Sequence, residues 1–307
     1  DWSSDVCSSD LILVLILSGC SVMPRGGEVP SKPAPPAVEP QPKPEVRLVP
    51  PKIALALGGG AARGFAHVGV IKALEAHGIV PDIVVGTSAG ALVGALYAGG
   101  YSGFDLQRVA LQLDDTVIAD WSLPDRGFIK GEALQNFVNR AVQNRVLEKL
   151  NKPFATVVTD LQSGEMVVFR TGNTGMAVRA SSSVPGVFQP VSISGREYVD
   201  GGLVSPVPVR AARTLGASIV IAVDISARVE SAPANVPDDW LRVDRERRAR
   251  IDAETRFADV LIHPDIGYFA GSSGSYRARV IAAAAEATRA ALPRLRTALM
   301  VKPAPAK

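Results

Sequence analysis

Cysteine is scarce in this chain of 307 residues. Its two cysteines, Cys7 and Cys20, both precede the region where a folded domain begins. This scarcity excludes a disulfide framework and a zinc site built on cysteine. The three histidines, His67, His77 and His263, are too scattered along the sequence to indicate a metal site. We therefore expect neither a metal nor a cofactor.

Aromatic residues are also few, at 6% of the chain, and the formal net charge is only +3. Acidic and basic residues are interspersed, and no aromatic side chains alternate with basic ones in the manner of a nucleic-acid-binding surface. We therefore expect no nucleic-acid partner. The length and the 47% hydrophobic content suit one large globular domain or two small ones.

The amino-terminal part lacks the pattern of a folded domain. We expect the first ten residues, DWSSDVCSSD, to be artefactual, because they carry acids where a signal peptide needs lysine or arginine. Residues 11–17 form an uninterrupted apolar run that is too short to span a bilayer, which takes about 20 residues. Such a run is typical of the apolar core of a secretory signal.

Residues 17–20, Leu-Ser-Gly-Cys, resemble the lipobox of bacterial lipoprotein precursors. The resemblance implies that Cys20 is lipidated and becomes the mature amino terminus. The alternative is a chance cysteine after a signal cut elsewhere. A lipidated Cys20 would anchor the protein on a membrane surface without a transmembrane helix. Ser21 after the cysteine implies, by the lipoprotein sorting rule, the outer membrane of the bacterial envelope, facing the periplasm.

The chain therefore divides into four predicted segments. Residues 1–22 are the signal and lipobox segment. Residues 23–51 hold ten of the 23 prolines and predict an extended linker. Residues 52–300 are the predicted folded domain, and residues 301–307 are a tail.

Strands and helices alternate from the start of the predicted domain. KIALALGGG predicts a buried strand that ends in a glycine loop, and FAHVGVIKALEAHG predicts a helix with a C-terminal glycine cap. PDIVVG and AGALVGALYAGG repeat this order. The alternation predicts an α/β fold with a mainly parallel central sheet flanked by helices. Further strands are predicted at 154–161, 166–172, 218–225 and 258–265, and further helices at 238–256 and 276–299.

The second strand runs into Gly86-Thr87-Ser88-Ala89-Gly90, which fits the G-x-S-x-G pattern of a nucleophile elbow. The glycines allow a sharp strand-to-helix turn that exposes the serine hydroxyl. The positive end of the following helix would help a developing anion. The alternative is an ordinary N-cap serine.

Gly58, Gly59 and Gly60 form a bare loop after the first strand. Two backbone N–H groups near a nucleophilic serine make an oxyanion hole, worth roughly 3–4 kcal/mol per donor. A nucleotide phosphate loop is disfavoured. The chain lacks G-x-x-x-x-G-K-[ST], and the loop has G-x-G-x-x-R-G instead of G-x-G-x-x-G.

Asp200 ends a short predicted strand and is followed by Gly201 and Gly202. A serine nucleophile needs a base, and an aspartate can serve where partial burial raises its pKa. The alternative is a plain turn aspartate, since Asp-Gly is a common turn signal.

Together these motifs resemble those of the patatin-like phospholipase family. The resemblance covers residues 52 to about 299 and includes HVGVIKALEAHGI and RASSSVPGVFQPV. It implies the three-layer patatin fold and a Ser–Asp dyad that hydrolyses acyl esters of lipids through an acyl-enzyme, without a histidine. By this resemblance Ser88 is the nucleophile and Asp200 the base. Gly58, Gly59, Gly60 and Arg63 frame the oxyanion hole, and Gly86, Gly90, Gly201 and Gly202 support the motifs.

Two other functions stay open from the sequence. A Ser-His-Asp esterase of the α/β-hydrolase type would use His263, which has the right chain order but lies in an apolar strand-like segment. A non-catalytic envelope protein could keep a lipid-binding cleft.

We interpret the serines at 181–183 as a turn near the cleft and the helix at 238–256 as a solvated face. Trp240 on that helix is a candidate for contact with a membrane or for covering the cleft.

Overall fold

The computed structural model describes residues 51–113 and 130–301. The predicted signal and lipobox segment, Cys20 and the linker up to Pro50 lie outside the described residues. The tail after Val301 lies outside them too.

Strands and helices alternate through much of the described chain, as the motif spacing predicts. Within residues 51–113 and 130–301 there are eight strands and eight α-helices. In chain order they are β1 (Ile53–Leu57), α1 (Phe65–Ala76), β2 (Ile83–Thr87), α2 (Ala89–Ala98), α3 (Gly103–Gln112), α4 (Glu132–Ala141), β3 (Phe154–Asp160), β4 (Met166–Phe169), α5 (Thr174–Ser181), β5 (Val191–Ile193), β6 (Arg196–Asp200), α6 (Val209–Thr214), β7 (Ile219–Val223), α7 (Asp238–Thr255), β8 (Val260–Ile262) and α8 (Gly274–Val301).

The strands form one sheet in the order β5-β6-β3-β2-β1-β7-β8, with β4 paired to β3 off this path. Neighbours from β3 to β8 along this order pair in parallel. Strands β4 and β6 run antiparallel to β3. The predicted α/β fold with a mainly parallel sheet is therefore confirmed.

Alternate side chains of β1 enter two different cores. Leu55 and Leu57 pack with residues of α1, α2 and α8 on one face of the sheet. Ala54 and Ala56 pack with residues of α6 and α7 on the other. Because both faces are covered, the central strands are apolar at nearly every position. Among the described helices, including the long α8, none combines the length and apolarity that a bilayer crossing requires.

Strand β3 brings β2 and β6 to the same edge. Thr87 at the end of β2 pairs with Val157, and Asp200 at the end of β6 pairs with Val158. The pairing of β4 overlaps both of these stretches, so β4 occupies the opposite edge of β3. The carboxyl ends of β2 and β6 therefore meet along the same edge of β3. This places Ser88, the residue after Thr87, beside Asp200.

Candidate active site

Ser88 occupies a strained turn between β2 and α2. Its backbone has φ 54° and ψ −120°, a conformation that non-glycine residues rarely adopt. Its side chain makes no capping hydrogen bond to the helix, so it does not act as an N-cap serine. The hydroxyl is thus left available at the carboxyl edge of the sheet, and the residue is 8% exposed.

The two glycines of the elbow are required by close backbone approach. A Cβ atom placed at Gly86 would lie 2.3 Å from the carbonyl oxygen of Gly90. A Cβ atom placed at Gly90 would lie 2.1 Å from the carbonyl oxygen of Leu57. Neither backbone neighbour can move aside cheaply, so the pattern G-x-S-x-G has a steric cause in this chain.

Asp200 is fixed through its backbone and through one carboxylate oxygen. Its N–H donates to the Ser183 carbonyl at 2.9 Å, and its own carbonyl accepts from the Thr159 hydroxyl at 2.8 Å. Oδ1 accepts the Gly202 N–H at 2.6 Å. Oδ2 is buried and has no hydrogen-bond partner among the described residues. Asp200 therefore makes the predicted turn contact and still keeps one oxygen for chemistry.

The protonation of Asp200 is set by opposing influences. Burial raises the pKa of Asp200, because the charged form is poorly solvated. The Ser88 hydroxyl, the Gly202 N–H and the Arg247 guanidinium act in the opposite direction on that pKa. Oδ2 itself has no formed hydrogen bond among the described residues, so the Ser88 hydroxyl influences the carboxylate without one. Such loose contacts are common in enzymes without bound substrate.

The serine cluster at 181–183 supports the site directly. The Ser181 hydroxyl donates to the Val157 carbonyl at 2.6 Å and accepts the Ser88 N–H at 2.9 Å. Ser183 supplies the carbonyl that receives the Asp200 N–H. The predicted turn near the cleft therefore holds the backbones of both Ser88 and Asp200.

The glycine loop corrects one expectation about its donors. The Gly58 N–H donates to the Val223 carbonyl and the Gly59 N–H to the Pro206 carbonyl, each at 2.9 Å. Both amides are committed to holding the loop in place and cannot also serve an oxyanion. Within the described chain, the amides of Gly60 and Ala61 have no such backbone acceptor. They replace Gly58 and Gly59 as the candidate oxyanion donors.

Arg63 and His67 flank this loop. Arg63 donates through Nη2 to the Tyr268 carbonyl at 2.8 Å, and burial and the nearby Arg247 lower its pKa. His67 is fully buried, and burial lowers its pKa to about 4. The neutral imidazole donates from Nε2 to the Gly58 carbonyl at 2.7 Å. His67 therefore helps to hold the glycine loop in place through the Gly58 carbonyl.

His263 lies apart from the serine and the aspartate. Its Nδ1 is 3.6 Å from Asp224 Oδ2, and its Nε2 contacts the Ser226 carbonyl at 3.1 Å. Because both ring nitrogens face these partners, His263 is not placed to accept a proton from Ser88. The structure does not support the alternative Ser-His-Asp arrangement.

Arg247 is a site residue that the sequence analysis missed. It lies on α7, which we interpreted as a solvated face, and its Nη2 donates to the Gly59 carbonyl at 2.9 Å. The six arginines from Arg242 to Arg256, both included, look alike in the sequence, so no local signal marks this one. Its position follows only from how α7 packs on the sheet.

A cavity of about 690 Å³ opens beside Arg63. Its wall carries large apolar side chains that are unusually exposed, and Trp240 is 56% exposed. Such exposed apolar surface beside a site suits an apolar ligand. The lining residues include Arg63, Val184, Trp240, Val243, Tyr268 and Phe269.

The described part of the chain contains no group of three or more His, Cys, Asp or Glu side chains arranged to hold a metal ion.

The fold and the site together are those of an α/β protein in which a serine in a strained strand-to-helix turn, Ser88, lies beside a buried aspartate, Asp200. The chain belongs to the patatin-like phospholipase family, whose sequence model matches residues 55–213. This match spans the glycine loop, the serine elbow and Asp200.

Two relatives illustrate which proteins this chain is similar to in sequence. An uncharacterized NTE family protein of Mycobacterium bovis is 36% identical over 215 residues, covering 66% of this chain and 58% of that protein. Patatin-like phospholipase domain-containing protein 6 of Mus musculus is 35% identical over 187 residues, covering 58% of this chain and 14% of that protein. The chain thus spans a little over half of the first relative and a small part of the second.

Two solved structures share the fold. VipD from Legionella pneumophila has a TM-score of 0.50 at 14% identity, covering 81% of this chain and 67% of VipD. A chain of the heterodimeric ExoU–SpcU complex from the type III secretion system of Pseudomonas aeruginosa also has a TM-score of 0.50. Its identity is 18%, with 82% of this chain and 52% of that chain covered. At these identities the likeness concerns the fold only.

Proposed function

We propose that this protein is a lipid acyl hydrolase in which Ser88 is the nucleophile and Asp200 the base. The observation that carries the proposal is the meeting of β2 and β6 on one edge of β3, which sets the strained serine beside a buried carboxylate. Family membership supports a carboxylic ester of a lipid as the substrate class.

In the first half-reaction, the Ser88 oxygen attacks the acyl carbonyl carbon while Asp200 Oδ2 accepts the hydroxyl proton. The N–H groups of Gly60 and Ala61 stabilise the tetrahedral oxyanion, and the N-terminus of α2 adds a favourable dipole. The carbon–oxygen ester bond then breaks, and the leaving alcohol takes the proton from Asp200. The acyl group stays on Ser88 as an ester.

In the second half-reaction, water attacks the acyl-enzyme and gives its proton to Asp200. Collapse of the second tetrahedral intermediate releases the fatty acid and returns the proton to Ser88. Asp200 must be ionised at the start of each half-reaction. The Gly202 N–H and the Arg247 guanidinium favour that form against the effect of burial.

We also propose where the protein is located in the cell. This part of the proposal depends on Cys20, which lies outside the described residues. Lipidated Cys20 would hold the domain on the bacterial outer membrane, facing the periplasm, at the end of the linker. Incorporation of a labelled fatty-acid analogue into the wild type but not into Cys20→Ala tests this anchor. Equal labelling of both proteins would remove it.

Hydrolysis of nitrophenyl esters over a range of acyl lengths, and of phospholipid vesicles, tests the function itself. We expect wild type to release fatty acid and Ser88→Ala to lose at least about 10³-fold in kcat. His263→Ala should lose little, because His263 contacts Asp224 and Ser226. Binding of lipid by a wild type as inert as Ser88→Ala would favour a non-catalytic envelope protein instead.

A further inference from the structure

Arg247 reaches the proposed active site from α7. Its Nη2 donates to the Gly59 carbonyl at 2.9 Å. A Cβ atom placed at Gly59 would lie 3.1 Å from Ser88 Cβ and 3.6 Å from Arg247 Nη2. The Arg247 guanidinium and the Ser88 side chain therefore both lie next to Gly59.

Buried contacts fix the part of α7 that carries Arg247. The next residue, Arg248, pairs with the buried Asp224 at 2.5 Å. Two turns further on, Glu254 accepts the Ser205 hydroxyl at 2.7 Å. Asp224 follows β7, and Ser205 follows the Asp200 turn, so both tie α7 to the carboxyl edge of the sheet. Arg247 is thus held in place by the helix on which it lies.

Arg247 is the positive charge that, among the described residues, lowers the pKa of Asp200. The groups facing the carboxylate come from three elements: the Ser88 hydroxyl from the elbow, the Gly202 N–H from the turn after β6, and Arg247 from α7. The first two are neutral, and all three lower the pKa of Asp200 against its burial. Arg247 itself faces Arg63, and its Nε is buried without a hydrogen-bond partner in the described structure.

We propose that Arg247 is a positioning residue of the hydrolase. It holds the glycine loop through the Gly59 carbonyl and supplies the positive charge that keeps Asp200 ionised. The role rests on the proposed function, since it concerns the base and the oxyanion loop of that reaction. Arg247 acts through these groups and does not contact the reacting atoms.

The test compares Arg247→Ala with Arg245→Ala, which removes the same charge from an exposed position on the same helix. The assay measures kcat and KM for a neutral nitrophenyl ester across pH. For Arg247→Ala we expect kcat to fall about 10- to 100-fold with little change in KM. The acid limb of the kcat/KM profile should move to higher pH, because the pKa of Asp200 rises without the guanidinium. Arg245→Ala should match wild type.

Arg247→Lys provides a second arm if the alanine variant folds poorly. It keeps the charge but loses the planar guanidinium, so the acid limb should stay near its wild-type position while kcat falls. A purely structural role would instead lower the activity of both variants without moving the acid limb.

Two results overturn the inference without affecting the proposed function. One is an Arg247→Ala pH profile equal to that of an active wild type. The other is a loss confined to KM for phosphate-bearing lipids and absent with the neutral ester, which would assign Arg247 to head-group binding. A wild type that hydrolyses no ester overturns the proposed function, and the inference with it.

Discussion

The backbone N–H of Ser88 is bonded to the hydroxyl of Ser181 at 2.9 Å, and that hydroxyl donates in turn to the Val157 carbonyl. The strained elbow is therefore held from outside by a side chain at the end of α5. It also follows that the Ser88 amide is occupied and cannot itself serve as an oxyanion donor.

Replacing Ser181 should loosen the elbow. Ser181→Ala leaves the Ser88 N–H and the Val157 carbonyl without this partner in a buried place, which costs about 1–3 kcal/mol. We expect a lower free energy of unfolding in denaturant titration and a lower kcat. Ser192→Ala, at an exposed position of β5, is the control and should change neither. Wild-type stability for Ser181→Ala would show that this hydroxyl does not hold the elbow.

Adding a methyl group at Gly90 should disrupt the elbow. In Gly90→Ala the new Cβ would lie 2.1 Å from the Leu57 carbonyl oxygen, so β1 or α2 must shift. We expect destabilisation of about 1–3 kcal/mol or more and near-complete loss of esterase activity. The matched variant Gly274→Ala adds a methyl group into open space at the start of α8 and should be tolerated. An active, stable Gly90→Ala protein would contradict the close approach described here.

Asp200→Asn should separate activity from stability. Burial raises the folded-state pKa of Asp200, so its ionisation costs stability once the pH rises through that pKa. Asparagine keeps an oxygen for the Gly202 N–H and carries no charge. We expect an inactive protein whose melting temperature at neutral pH equals or exceeds that of wild type, with the difference shrinking as the pH falls. A clearly lower melting temperature at neutral pH would argue against a strained buried carboxylate.

His67 should contribute to acid sensitivity. Burial lowers its pKa from 6.5 to about 4, so its neutral form favours folding above pH 6.5, and this contribution is lost as the pH falls toward 4. The shift corresponds to about 3 kcal/mol. Denaturant titrations at pH 7, 5.5 and 4.5 should show a smaller acid loss for His67→Gln than for wild type. His77→Gln, at the exposed end of α1, should lose stability like wild type.

Local patterns in the sequence predict much of this fold. The buried parallel strands are apolar runs because helices cover both faces, and the glycines at 86 and 90 mark a turn that tolerates no Cβ there. These signals lie within a few residues of the features they indicate. The strands except β5, the helices α1, α2, α7 and α8, and Ser88 and Asp200 as candidate residues followed from such signals.

Features that depend on distant contacts escaped prediction. The hydrogen bonds that occupy the Gly58 and Gly59 N–H groups are accepted by the carbonyls of Val223 and Pro206, which lie far along the chain. The approach of Arg247 depends on how α7 docks, since its own stretch of sequence reads as a charged surface helix. The antiparallel pairing of β6 with β3, which places Asp200 near the end of β2, joins two segments that lie far apart in the chain.

Mass spectrometry of the acyl-enzyme shows directly whether Ser88 carries the acyl group during hydrolysis. The protein is mixed with a slowly hydrolysed nitrophenyl ester, quenched in acid and digested. We expect a mass increase equal to one acyl group on the peptide that contains Ser88. This increase should be absent from Ser88→Ala and slow to form in Asp200→Asn. An acyl group on another residue, or wild-type turnover by Ser88→Ala, would contradict this expectation.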